Sequence, residues 1–194
     1  MQRSRFGLPA GGALALLLAL TSSAQATTLV RASLSDLVAT NSQVVVGEVV
    51  DAYSYWNPEG TFILTDVTLA TREVVKGESG KQLLTITLLG GSVDGLSTVI
   101  LGNPQLVPGN SYVLFLNREN LPGAAGSLTL RDLCQGSFEI QGSPGKERAV
   151  SQAVGEPLLP DRKGQVEAVG GAQGLPLATL LESVRNAARQ GVRK

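Results

Sequence analysis

The chain of 194 residues contains no histidine and a single cysteine, methionine and tryptophan. Without histidine, the side chain that most often moves protons near neutral pH is missing, and so is the commonest nitrogen ligand for transition metals. A serine or cysteine nucleophile has no imidazole to activate it. One cysteine, Cys134, can neither close an internal disulfide nor build a thiolate metal site. An excess of charge is lacking too: 16 basic residues stand against 16 acidic ones, so there is no basic field for nucleic acid or for an anionic lipid surface. Aromatic residues amount to 4% of the chain, which gives weight to any place where they gather. No apolar run is long enough to span a bilayer.

What is present begins with Arg3 and Arg5, an apolar stretch from Ala13 to Leu20, and the small-residue pattern Ala24-Gln25-Ala26. A basic start, a short apolar core and small residues before a cut make a cleavable secretory signal, residues 1–26, with Ala26 and Thr27 flanking the cut. An uncut leader acting as an anchor is the alternative; the polar Thr21, Ser22 and Ser23 that follow the apolar core favour cleavage. The expected location is periplasmic or secreted, with no stable membrane span after processing. The leader takes two arginines with it and leaves a slight acidic excess.

Downstream, Ser33-Leu34-Ser35-Asp36 reads as a helix start, with Ser33 as cap and Asp36 near the positive end of a short helix over Leu34 to Thr40. The β-branched and aromatic run from Val44 to Trp56 predicts a long strand in which Gly47 marks a bulge or a close backbone approach. Asn57-Pro58-Glu59-Gly60 turns the chain into a second run, Thr61 to Val75, whose alternation wobbles at Thr65. Leu83 to Leu89 reads as a third strand, Thr98 to Leu101 as a weaker one, and Tyr112 to Leu116, apolar on both faces, as a central one. Leu128 to Leu130 and Gly136 to Ile140 are further short strands.

These spacings predict a mainly β fold: a small antiparallel barrel over residues 27–142 with a short N-terminal helix. Residues 143–174 are rich in Gly and Pro with little periodicity, and read as a poorly ordered connection, with a short hairpin around Ala149 to Val154 as an alternative for part of it. Residues 175–191 read as an amphipathic helix with Leu177, Leu180, Leu181, Val184 and Ala188 on one stripe. Pro176 suits its first turn, Glu182 can reach Arg185, and Gly191 fits its end. The stripe is expected to dock on the chain's own core, the alternative being a partner.

The segments VVVGEVVDA, TDVTL, EVVKG and PGNSYVLFL are together similar to a pattern in exported bacterial proteins of unassigned function. More distantly they resemble the netrin-like family, which includes the tissue inhibitors of metalloproteinases. The likeness runs from Ala32 to Ile140 and implies a barrel of the oligonucleotide/oligosaccharide-binding type. In those inhibitors a disulfide-tied N-terminal cysteine presents its amine and carbonyl to the metal of the protease. Here the corresponding end is Thr27, so the resemblance implies at most a regulator of an extracellular protease acting through the Thr27 amine and carbonyl.

Motifs of catalysis are not supported by their surroundings. Ser143-Pro144-Gly145-Lys146 has the spacing of a serine–lysine pair, but Pro-Gly builds a turn where that chemistry needs a helix. Gly77-Glu78-Ser79-Gly80-Lys81 lacks the spacing of a phosphate loop and puts Gln82 where a hydroxyl should meet magnesium. Asp66 and Asp94 are the carboxylates open to acid–base or calcium chemistry, and neither sits in a recognisable constellation. Cys134 reads either as a buried apolar residue or as an exposed thiol that pairs with another chain.

The expectation is therefore a non-catalytic binding or interaction module without cofactor or metal. Its partner is an envelope or extracellular protein or a glycan, and not nucleic acid. Tyr53, Tyr55 and Trp56 are the candidate contact surface, with packing of a barrel rim as the alternative use of the same three rings.

Overall fold

The computed structural model describes residues 29–78, 81–161 and 163–191. The leader and its cut at Ala26 and Thr27 lie outside these residues. The described chain runs α1 (Leu34–Thr40), β1 (Gln43–Trp56), β2 (Ile63–Lys76), β3 (Leu83–Leu89), β4 (Gly91–Val93) and β5 (Leu96–Thr98). It continues with β6 (Ser111–Leu121), β7 (Ala124–Thr129), a 3-10 turn (Leu133–Gly136), β8 (Ser137–Gln141), β9 (Arg148–Ser151), β10 (Leu175–Pro176) and α2 (Leu177–Gly191). No helix among the described residues is long and apolar enough to cross a membrane.

The fold is mainly β, and its principal sheet is antiparallel throughout, in the order β10-β9-β8-β6-β1-β2-β3. The sheet forks at β6. Its first residues pair with β8, through Tyr112 to Leu114, and its last with β7, through Asn117 to Leu121. That fork accounts for a sheet that is open where a barrel was expected. The curl brings β7 beside β3, but no ladder joins them. The sheet stays open because, alongside the first half of β6, its path continues through β8 into β9 and β10.

Two apolar layers follow from strand alternation. Val45, Val49, Val67, Leu69, Ile86, Leu88, Leu114 and Leu116 point into the curl and form its interior with Leu106, Tyr112 and Leu130. The opposite parity, Val44, Val46, Val113, Phe115 and Phe138, meets Leu37 and Val38 of α1 and Leu180, Leu181 and Val184 of α2. The amphipathic stripe of α2 thus docks on its own sheet. Arg185 leaves the helix to pair with Glu73 of β2, in place of the anticipated Glu182.

Local chemistry accounts for the element ends. Ser33 Oγ accepts from the Asp36 backbone N–H at 3.2 Å, and Asp36 Oδ2 accepts from the Ser33 N–H at 3.2 Å, a complete capping box. At the other end of α1 the Lys76 ammonium donates to the carbonyls of Val38 and Asn41, where the helix presents its negative end. At Gly47 the register shifts, and a Cβ there would lie 2.6 Å from the Ala70 carbonyl oxygen. Both anticipated roles of that glycine, bulge and close approach, coincide. The wobble at Thr65 has a cause as well: its hydroxyl bonds the Gly90 carbonyl at 2.6 Å and Ser54 Oγ at 2.8 Å.

Three strand boundaries are corrected. The weak strand expected over Thr98 to Leu101 falls at β5, which forms a hairpin with β4 around Asp94 and Gly95, both at positive φ (51° and 80°). That Asp-Gly pair is the chemistry of a tight hairpin turn, so Asp94 serves a turn rather than a site. The strand expected over Leu128 to Leu130 begins four residues earlier, as β7. The stretch expected to be a poorly ordered connection contributes β9, which extends the sheet beside β8, and Leu175–Pro176 pairs with β9 before α2 begins. Ser143 to Lys146 is a hydrogen-bonded turn, the Lys146 N–H donating to the Ser143 carbonyl at 2.9 Å.

Candidate functional site

The outer face of β1–β2–β3 divides into a covered half and a bare half. Over Val44 and Val46 it is roofed by α1 and α2. Beyond the Glu48–Arg72 ion pair, 2.7 Å long, aromatic and polar side chains join the apolar Leu64 and Leu89. Register places three rows there: Asp51, Thr68 and Thr85; Tyr53, Asp66 and Thr87; Tyr55, Leu64 and Leu89.

The register is set at the hairpin tip. Asn57, 3% exposed, accepts on Oδ1 from the N–H groups of Thr61 and Phe62 at 2.8 and 3.0 Å, and its own N–H bonds the Phe62 carbonyl at 2.8 Å. The Asn57 lock sets Trp56 opposite Ile63 and therefore Tyr53 opposite Asp66. The Tyr53 and Tyr55 rings are nearly parallel, 11° apart, with centroids 6.1 Å from each other. Tyr53 is 66% exposed. Asp66 Oδ1 accepts from the Tyr55 hydroxyl at 3.2 Å and from Thr87 Oγ1 at 2.7 Å. Burial first, and then the Asp66 carboxylate, push the Tyr55 phenol above its ordinary range, so it stays a hydrogen-bond donor.

The sequence reading placed Tyr53, Tyr55 and Trp56 in one group. The structure brings the two tyrosines together and separates Trp56, which has the opposite parity and lies near the tip opposite Ile63, the first residue of β2. Trp56 is 38% exposed. The apolar residues Val99 and Leu101, read as strand, are instead 79% and 86% exposed after β5. Nothing in the composition around Asp66 joins it to the tyrosines; the strand register does. Counting outward from the Asn57 turn would have found that pairing.

Other openings are less suited to a ligand. A polar recess of about 280 Å³ is lined by Asn103, Gln105, Asn110, Glu139, Gln152 and Glu156. Its amides are largely paired with their neighbours: Asn110 donates to Glu139 at 2.9 Å, while Gln152 accepts from the Gln105 N–H and donates to its carbonyl at 2.7 and 2.8 Å. An open groove of about 460 Å³ lies between the 145–148 turn and the start of α2. Among the described residues, no three acidic or cysteine side chains converge as a metal set would.

Cys134 is buried, 2% exposed, as the first of its two readings had it. Burial, then the nearby Glu156 carboxylate, push its thiol upward, which disfavours the reactive thiolate. No protein-family model matches the chain, and no curated protein matches it either.

Proposed function

We propose that the protein is exported to the periplasm or beyond the cell and acts there as a non-catalytic binding module through the bare half of the β1–β2–β3 face. One observation carries this reading: α1 and α2 roof the apolar half of the face, and the unroofed half exposes Asp51 and Tyr53 and sets Tyr55 and Asp66 around the buried Leu64. A solvent-facing sheet surface needs only polar side chains to remain soluble. Paired tyrosines with a hydrogen-bonded carboxylate exceed that need and match the aromatic anchors of recognition surfaces.

The leader pattern supports export, and the missing histidine together with the buried thiol supports a non-catalytic role. The likeness to exported netrin-like proteins points the same way through the fold alone and contributes no residue to this surface. Retention of fluorescently labelled mature protein on washed cell envelopes tests the reading. The Tyr53→Ala/Tyr55→Ala double variant should bind about tenfold more weakly, as loss of a hot spot requires, while remaining folded. Retention equal to wild type in a folded double variant would remove this face as the contact surface.

A further inference from the structure

We infer that the ligand class of this face is a neutral polysaccharide, with pyranose rings against Tyr53 and Tyr55 and sugar hydroxyls on Asp66. The inference rests on the binding reading above and deepens it. Three features of the site select the chemistry.

The first is the carboxylate. Asp66 Oδ1 is held by two hydroxyl donors, Tyr55 at 3.2 Å and Thr87 at 2.7 Å, whereas Oδ2 receives no hydrogen bond from a described residue. A carboxylate fixed through one oxygen presents the other in a set direction, ready for a hydroxyl donor. Hydrogen bonds to an ionised acceptor are the stronger kind, and a site shaped for a hydroxyl discriminates against ligands that lack one.

The second is the pair of rings. A pyranose has one or both faces lined by C–H groups, which are apolar and slightly positive, and an aromatic face is apolar and slightly negative. Tyr53 and Tyr55, two residues apart on one strand, stack with centroids 6.1 Å apart and 11° between planes, and the ring of Tyr53, 66% exposed, offers such surface. A pyranose seated on Tyr53 borders Tyr55.

The third is the charge and shape of the surroundings. Asp51 and Asp66 share the face with Thr68 and Thr85, and the nearest arginine on β2, Arg72, is engaged by Glu48 at 2.7 Å. Anionic ligands are therefore disfavoured. A basic peptide would satisfy the aspartates but leave the threonine hydroxyls to water, and the recesses described above are not lined by Tyr53, Tyr55 or Asp66, so such a side chain has no pocket there. A polyol supplies donors and acceptors together, as the mixed carboxylate and hydroxyl surface requires.

The test compares retention of the full mature protein on three preparations of washed envelopes: untreated, digested with protease, and oxidised with periodate, which cleaves vicinal diols. The expected result is retention on the first two and loss on the third, with Tyr53→Ala and Asp66→Asn each weakening retention on untreated envelopes about tenfold. Asp66→Asn preserves the shape of the side chain and an oxygen for Tyr55 and Thr87, so it tests the free carboxylate oxygen without emptying the site. Loss on protease-treated envelopes, or survival of binding after periodate, would overturn the polysaccharide while leaving the binding module intact if Tyr53→Ala still weakens it. Absence of retention on untreated envelopes, or retention indifferent to Tyr53→Ala, would remove both readings.

Discussion

Asp66 faces Tyr53 because of a residue some distance from either, Asn57, whose side chain closes the hairpin tip and sets the pairs back to Asp51 and Thr68, where a bulge first shifts the register. Cys134 shows the same dependence on surroundings. In sequence it is a thiol between Leu133 and Gln135; in the fold, burial and then Glu156 raise its proton affinity. The thiol of the unfolded chain titrates near pH 8.5, and the folded one holds its proton to higher pH. Stability from this group is therefore complete below about pH 8.5 and is lost as pH rises toward the folded value, because the unfolded state releases its proton first. Urea midpoints measured at pH 7, 9 and 10 should fall more steeply for wild type than for Cys134→Ala. Parallel curves would show that the thiol titrates alike in both states.

Single elements were largely legible from local chemistry. The seven residues of α1 are too few to hold a helix alone, yet the capping box from Ser33 to Asp36 and Lys76 at the opposite end satisfy both termini. Ser33→Ala removes the hydroxyl that bonds the Asp36 N–H and should cost about 1 kcal/mol, a fall of roughly 2–4 °C in thermal midpoint for a chain of this size. An unchanged midpoint in calorimetry would show that sheet packing alone holds the helix. The third strand, Leu83–Leu89, has the bounds that its composition indicates. The weak strand was misplaced because Val99, Ile100 and Leu101 are apolar without pairing, whereas the Asp94-Gly95 turn, which sets β4 against β5, is a signal that composition alone underweights.

At the scale of the molecule, the decisive arrangement is that two helices roof half of one sheet face. Leu180 is fully buried between that face and α1. Leu180→Ala should lower stability by about 2–5 kcal/mol, the range for a buried leucine that leaves a cavity, measured by urea denaturation. A loss under about 1 kcal/mol would show that α2 is not an integral layer. The fork at β6 belongs to this scale as well, since β7 and β8 take successive stretches of the same strand. Turn chemistry and alternation describe neighbours along the chain, and they could not show which strand would continue the path or that β7 would stop short of a ladder with β3.

What the sequence determined by itself was the alternation, the caps and the turns: a mainly β chain, a capped short helix before it, and a terminal helix with one apolar stripe. Each depends on interactions within a few residues. The tertiary structure alone decided that the sheet stays open, that the tyrosines part from Trp56, and that Asp66 joins them. Those outcomes depend on strand register and on which face the helices cover, and both are set by contacts between residues far apart in the chain.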